Sequence, residues 1–449
     1  MTMHTDALRL RLATGPKSGS QIAKEVGLSQ PTVSRALASM GDEVIKVGER
    51  RWTQYLLRDT GRGFGDITVY RVDASGKIKP LGVLTPVRPD GFVMTQSDGR
   101  QIHSDGLPWW LLDMRPQGYL GRAYAARYGA ELGLPGNLKD WHDSHALRAL
   151  LVHGHDLVGN LLLGDMARDK FLATPVCTPI PMSDKARRYA ELAVGASRGE
   201  SPGTSAGGEQ PKFTAYADTE DGPTHVIVKF SEKLDSPVSQ RWRDLLLAEH
   251  LALTTLRHSG IAAAKTSLID DAGQRFLEVE RFDRVGALGR RALISLGALD
   301  AEFVGAANEP WPVLAKKLAA QGTIDEKALG TTQLLWAFGT LIGNSDMHNG
   351  NLSFVSEQGR PYEIAPAYDM TPMAFAPTIG GGLPTAVHTA NVHASVPNDT
   401  WRQAETLART YLAALADSPA LSHAFQACIG ALKHHIDAAS QQIDRLASA

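Results

Sequence analysis

Residues 341–354 read LIGNSDMHNGNLSF, and the fold turns on how that stretch is understood. The preceding run, TTQLLWAFGTLIG, sets Leu334, Leu335, Phe338, Leu341 and Ile342 at helical spacing, which predicts a helix with one face in a core. Asn344, Asp346, His348, Asn349 and Asn351 then fall within eight positions, and Leu352, Phe354 and Val355 resume an apolar, strand-like run. A loop bounded in this way holds polar groups against a packed scaffold.

A further carboxylate, Asp369, follows in EIAPAYDMTP. Phosphoryl transfer needs one carboxylate to take or orient the proton of the attacking hydroxyl, and oxygen ligands to hold Mg²⁺ on the phosphates. Asp346 suits the first role, with His348 beside it in the same loop, and Asn351 and Asp369 suit the second. Taken singly, each is also an ordinary turn former or strand cap.

Upstream, residues 197–211 read SRGESPGTSAGGEQP. Gly203, Gly207 and Gly208, with Thr204, Ser205 and Ala206 among them, let backbone N–H groups turn toward an anion without Cβ obstruction. KFTAYA and THVIVKF follow as strand, turn and strand, with Lys212 opening the first and Lys229 alternating out of the apolar run of the second. A lysine buried there needs a negative partner, which phosphates or Glu249 of the amphipathic helix RDLLLAEHLALTTL can supply. RFLEVERFDRVG then reads as a strand running into a connector, so that Glu280, Arg281 and Phe282 fall where a hinge would present backbone groups to an adenine ring.

Taken in order, TSAGGEQPKF, VIVKF, VERFDR, GNSDMHNGNLSF and APAYDM resemble the HipA family of serine/threonine-protein kinase toxins. The resemblance implies a two-lobed kinase fold of α+β class, with a mixed α/β N-lobe and an all-helical C-lobe, that uses ATP and Mg²⁺. By the same resemblance Asp346 and His348 belong to catalysis, Lys229 binds phosphate, and Asn351 and Asp369 hold the metal. Ser205, Ala206, Gly207, Gly208, Lys212 and Glu280 to Phe282 surround ATP, with Glu249 in support. In this family a residue of the glycine-rich loop is autophosphorylated. Here the loop has one residue more before its lysine, so the counterpart is Ser205 or Thr204. Leu352 also replaces a phenylalanine of the family pattern. The substrate class implied by HipA itself is an aminoacyl-tRNA synthetase, and a separate antitoxin is an expected partner.

The first sixty residues stand apart. Leu8, Leu10 and Leu12 mark a first helix, Ile22, Ala23 and Val26 a second, and Gly27 turns the chain. In LSQPTVSRALASM, Ser29 is an N-cap, Pro31 occupies the first turn, and Val33, Leu37 and Met40 face inward. Ser29, Gln30, Thr32, Ser34 and Arg35 are left for DNA, and EVIKVGERRWTQYLLR reads as a hairpin turning at Gly48 and Glu49 that carries Arg50 and Arg51. This segment holds nine Lys/Arg against six Asp/Glu, whereas the whole chain carries −2. The pattern predicts a winged helix-turn-helix, which resembles the HipA-like subgroup called HipH in enteric bacteria. GRGFGD, at 61–66, reads as a flexible exit.

The predicted organisation is therefore a DNA-binding unit at 1–60, a HipA-like N-terminal subdomain at 61–182, a kinase N-lobe at 183–285 and a helical C-lobe at 286–449. ITVYRV, KIKPLGVL and GFVMTQS are strand candidates in the second unit. His142, His145, His153 and His155 lack a ligand spacing that would favour metal over structural roles. Leu407, Tyr411, Leu412, Phe425, Ile429 and Leu432 form helical stripes at the C-terminal end. With 43% hydrophobic residues, two distant cysteines and no uncharged run of bilayer length, the chain reads as a globular cytoplasmic protein without a membrane partner. Three functions remain: a protein kinase, a DNA-binding regulator whose kinase-like body senses nucleotide, and a nuclease toxin using the carboxylates for metal.

Overall fold

The computed structural model of the chain describes residues 2–175, 178–199, 210–355 and 359–447. At the N-terminus, helices Thr2–Leu12, Gly19–Val26 and Gln30–Ser39 bury Leu8, Leu12, Ile22, Val33, Leu37 and Met40 in a small core. Gly27 ends the second helix in the left-handed region at φ +68°, where a Cβ would be strained. Strands Lys17–Ser18, Val44–Val47 and Gln54–Leu57 form an antiparallel sheet with the last strand in the middle. The hairpin does not turn at Gly48 and Glu49 alone. Its connection spans 48–53 with a 3₁₀ turn at Arg50–Trp52, and a side chain at Gly48 would press on the Trp52 carbonyl.

The expected flexible exit is instead fastened. Asp59 is buried and pairs with Arg62 at 2.7 Å and Arg88 at 3.1 Å. Arg62 also donates to the carbonyls of Val87, Asp90 and Gly91, and its guanidinium lies over the Phe92 ring. Leu56 packs with Val87 and Val93, and Ile45 and Val47 close over them, so one apolar cluster joins the first unit to the second. Glycine content suggests a freedom that the aspartate and arginine remove.

In the second unit a five-stranded antiparallel sheet runs Gln101–Ser104, Gly91–Gln96, Ile78–Val87, Ile67–Val72, Leu161–Leu163. Leu81 is the extra residue of a bulge opposite Val69 and Tyr70, and Gly82 beside it sits so close to Thr95 that no side chain fits. Helices Gly118–Tyr128, Asp143–His153 and Gly164–Ala173 complete this unit. Two of its histidines have structural partners: His153 shares a hydrogen bond with the Tyr124 hydroxyl, and the ring of His145 accepts from the backbone N–H of His142.

A four-stranded antiparallel sheet follows, in the order Thr266–Asp271, Gln274–Glu280, Gly222–Phe230, Lys212–Thr219. Val226, Val228 and Phe230 pack against helix Lys185–Ser197 with Tyr189, Phe213 and Phe276. The two-residue period therefore turns Ile227 and Lys229 to the other face, where helix Pro237–His258 crosses.

The last unit is not all helical. Helices Leu296–Phe303, Trp311–Ala320, Glu326–Leu341, Asn398–Ala416 and Gln426–Ala447 build its core, where Phe338, Trp401, Tyr411 and Phe425 are fully buried. A small antiparallel sheet of Leu293–Ser295, Ser353–Val355 and Glu363–Ile364 flanks the 341–354 loop, and Arg284–Val285 pairs with Gly289–Arg290. Strands of two or three residues are too short to reveal an alternation in sequence. Among the described residues no helix is long and apolar enough to cross a membrane.

Candidate nucleotide and phosphoryl-transfer site

Helix Glu326–Leu341 delivers the 341–354 loop, and Gly343, at φ +73°, lets the chain leave the helix. Asn344 is then buried. It donates to the Asp369 carbonyl at 3.2 Å, and its side-chain oxygen accepts the Asp346 N–H at 3.0 Å. The Asn351 amide donates to the Asp346 carbonyl at 2.8 Å, and the Trp311 indole N–H reaches the His348 carbonyl at 3.3 Å. Gly339, on the helix, leaves room for the Met347 sulfur, which seats the loop. The Tyr368 hydroxyl lies within hydrogen-bonding range of the Gly350 carbonyl and the Ser353 hydroxyl.

Lys229 is buried on its strand and donates to both oxygens of Glu249, at 2.6 and 2.8 Å, and to Asp369. Thr371 donates to Glu249 at 2.9 Å. Asp369 takes φ +52°, a left-handed conformation uncommon for non-glycine residues though more accessible to aspartate than to most. Burial disfavours each charge here, but the pairings decide the outcome for two of them. Burial lowers Lys229, yet Asp369 and Glu249 outweigh it and hold the ammonium well above its ordinary value. Burial raises Asp369, yet Lys229, Lys212 and His348 keep it below the usual carboxylate range. For Glu249 burial prevails and its value rises.

A cavity of about 620 Å³ opens on these groups, lined by Lys212, Lys229, Glu280, Arg281, Phe282, His348, Asn351 and Asp369. Its size is that of a cofactor or nucleotide pocket. Glu249 stands behind Lys229. Asp346 lies on the same loop but is exposed and does not line the cavity. Thr204, Ser205, Ala206, Gly207 and Gly208 lie outside the described residues. The oxygen chemistry suits Mg²⁺: Asn351 commits its amide N–H to Asp346 and keeps its side-chain oxygen for another partner, and Asp369 adds a carboxylate. Mg²⁺ takes one or two such ligands and leaves its other positions to phosphate and water.

The segment expected to form the hinge is bolted to the second unit. Arg281 engages its guanidinium in a two-point pair with Asp283, a fellow residue of the cavity lining, at 2.9 and 2.8 Å. Arg284 joins Asp283 at 2.7 Å and Asp156 at 2.9 Å, and the Gly159 N–H donates to Asp283 at 3.1 Å. Arg290 completes the cluster over the Phe171 ring, and burial with nearby Arg284 pushes its pKa down to about 9. The sequence marks VERFDR as the hinge but gives Asp283 and Arg284 no role. Thr371 and Tyr368 carry no signal there either, and Asn344 is marked only as one of the loop's polar residues, since their work is visible only in partners.

At the N-terminus, Gln30, Ser34 and Arg50 share a concave surface with Lys46 and Tyr55. Ser29 and Thr32 are spent on the helix cap: their hydroxyls lie 2.9 Å apart, and the Ser29 oxygen accepts the Thr32 N–H. Arg35 is exposed near this surface and donates to the Pro31 carbonyl. The Arg51 side chain lies outside the described ones. Lys46 is an addition, marked in sequence only by the basic character of the hairpin.

Comparison with known proteins gives consistent matches. A family described as YjjJ-like toxin, middle domain, matches residues 64–172, and one described as HipA-like C-terminal domain matches residues 204–439. The chain is 39% identical over 417 residues to Toxin YjjJ of Escherichia coli (strain K12), spanning 92% of this chain and 94% of that protein. Among solved structures, HipA in the Shewanella oneidensis MR-1 complex of HipA, HipB and operator DNA matches with TM-score 0.55 and 16% identity, over 85% of this chain and 99% of that one. At that identity the likeness is one of fold.

Proposed function

The chain belongs to the HipA-like toxin family, and on that premise we propose that it is a serine/threonine-protein kinase that moves the γ-phosphate of ATP to a protein hydroxyl. The observation that carries this reading is the convergence of Lys229, Asp369 and Asn351 on one cavity, with Glu249 paired to Lys229 from behind. In the proposal Lys229 leaves part of its pairing with Asp369 to hold the phosphates, and Glu249 keeps the ammonium aimed. Asp369 and Asn351 would hold Mg²⁺, which when bound would supply positive charge against the phosphates. Asp346 takes the proton of the attacking serine or threonine as the new P–O bond forms and the bond to ADP breaks. Its exposure outside the cavity favours an acceptor carried on a macromolecule.

The same reading makes Ser205 or Thr204 the site of autophosphorylation, the N-terminal unit a winged helix-turn-helix on DNA, and a separate antitoxin a partner. The test is incubation with γ-labelled ATP and Mg²⁺ beside an Asp346→Asn variant. Label on a serine or threonine of the unaltered protein alone is expected. Absence of label on the unaltered protein, with nucleotide binding intact, would transfer support to a second reading, a DNA-bound regulator sensing nucleotide. That alternative draws on the fastening of the N-terminal unit to the body through Asp59 and Arg62. Plasmid nicking that survives Lys229→Met would support the nuclease reading instead.

A further inference from the structure

One wall of the cavity does not come from the kinase-like body. It comes from the middle domain, where Arg115 and Gln117 stand beside Asp113 among apolar residues such as Leu112, Trp141 and Val158. Most of that wall is apolar, and Asp113 is its carboxylate.

Three observations set Asp113 apart. Its hydrogen bond within the protein is to the backbone N–H of Ser295, at 2.6 Å, where Ser295 caps helix Leu296–Phe303. Burial raises its pKa, and among the described residues contacts with Ser295 are what oppose that rise. By contrast, Asp283 and Asp369 are each offset by buried cations. Arg115, two residues along and in the same wall, is taken up by Asp143 at 2.8 Å rather than by Asp113. A carboxylate left without a cation in a cavity wall is costly unless a ligand donates to it.

Its position indicates which part of a ligand that is. Ser295 pairs across the small sheet with Ser353, whose hydroxyl meets Tyr368 at 2.6 Å, and Tyr368 packs beside Phe282 of the hinge at 5.7 Å between ring centroids. Asp113, Ser295, Ser353 and Tyr368 thus form a polar shelf that reaches the hinge. The cationic end of the cavity, at Lys212 and Lys229, suits phosphate, which a carboxylate would repel. The hinge backbone suits the edge of the base. What remains for a carboxylate is a neutral donor between them, and carboxylates in nucleotide sites accept from ribose hydroxyls.

We infer that Asp113 of the middle domain binds the ribose of the nucleotide, so that the site is complete only when the middle domain is docked on the kinase-like body. This rests on the nucleotide reading above and deepens it. Asp113 is then a specificity residue that favours ribonucleotides over deoxynucleotides.

The experiment is calorimetric titration of the full chain with Mg²⁺ and ATP, 2′-deoxy-ATP or 3′-deoxy-ATP. A hydrogen bond to a charged acceptor implies a loss of about tenfold or more in affinity for one deoxy analogue. Asp113→Ala should bind ATP as weakly as the unaltered protein binds that analogue, with no further loss on removal of the hydroxyl. Asp113→Asn, which keeps an acceptor for Ser295 and for the sugar, should retain part of the discrimination. If the unaltered protein binds all three nucleotides equally, the inference is overturned, whether or not the alanine variant folds. Equal weakening of all three by Asp113→Ala would make Asp113 a structural residue and also overturn it, leaving the nucleotide reading intact. No binding of any of the three would overturn the nucleotide reading itself, and this inference with it.

Discussion

Lys229 and Asp369, 140 positions apart in the chain, meet in a direct ion pair at the wall of the cavity. With Glu249 they form one cation shared between two carboxylates, so removing the lysine takes away the cation both carboxylates share and leaves Lys212 as a buried cation acting on Asp369. Lys229→Met should lower phosphoryl transfer by about 10²-fold or more and cost about 3–5 kcal/mol of stability. Lys229→Met with Glu249→Leu should recover part of the stability, because one stranded charge is removed, and none of the activity. Urea denaturation beside a labelled-ATP assay measures both, and a double variant less stable than the single one would contradict the account.

Asp369 and Asn351 bear on metal dependence. Mg²⁺ should raise the thermal shift that ATP produces in the unaltered protein, and Asp369→Asn should abolish the Mg²⁺ increment while leaving a smaller shift from nucleotide alone. An undiminished increment in the variant would remove Asp369 from the metal site.

Asp283 predicts a pH dependence. Burial raises its pKa, but Arg281 and Arg284 outweigh it and hold the folded carboxylate below its unfolded value. A depressed folded pKa stabilises fully above the unfolded value of about 4 and is lost progressively as pH falls toward the folded one. The stability advantage of the unaltered protein over Asp283→Asn should therefore shrink between pH 5 and pH 3, on the order of one kcal/mol per pH unit below about pH 4. A gap that stays constant or widens on acidification would show that Asp283 is not held ionised by the arginines.

Gly289 tests the junction between the middle domain and the hinge hairpin. A side chain there would overlap the backbone of Ala74 and press on Val285, neither of which can rotate away. Gly289→Ala should cost about 1–3 kcal/mol or more and weaken ATP binding, whereas alanine at Gly286, where a Cβ meets nothing but φ is +56°, should cost only about 1 kcal/mol. Equal costs at the two positions would refute the close approach.

The concave surface at Lys46 and Arg50 gives a DNA prediction. Lys46→Ala with Arg50→Ala should weaken retention on DNA and reduce the slope of log affinity against log salt by about 0.9 for each phosphate that is no longer neutralised. An unchanged slope would place DNA, if bound, elsewhere.

The parts of the site legible in sequence are those set by local pattern. VIVKF alternates, so Lys229 had to face away from Val228 and Phe230. The apolar helix before Asn344 had to end where its periodicity ended. Other parts depend on tertiary partners that no local period encodes. LIS and SFV are too short to read as strands until each lies beside the other. Asp113 sits in a 3₁₀ segment far from every kinase-like motif, and nothing around it indicates that it faces Ser295. GRGFGD misled because glycine reports what a backbone can do, whereas Asp59 and Arg62 determine what this one does.

That fastening has a geometric consequence. With Asp59 and Arg62 clamping the junction and Leu56 packed on Val87 and Val93, the contacts favour the N-terminal helices moving with the body as one lever rather than as beads on a string. If the helices grip a duplex as proposed, the azimuth of the body around the DNA axis is set by base-pair position. Adding half a helical turn, about 5 base pairs, between two sites would swing two bound copies to opposite sides of the double helix and abolish any contact between them.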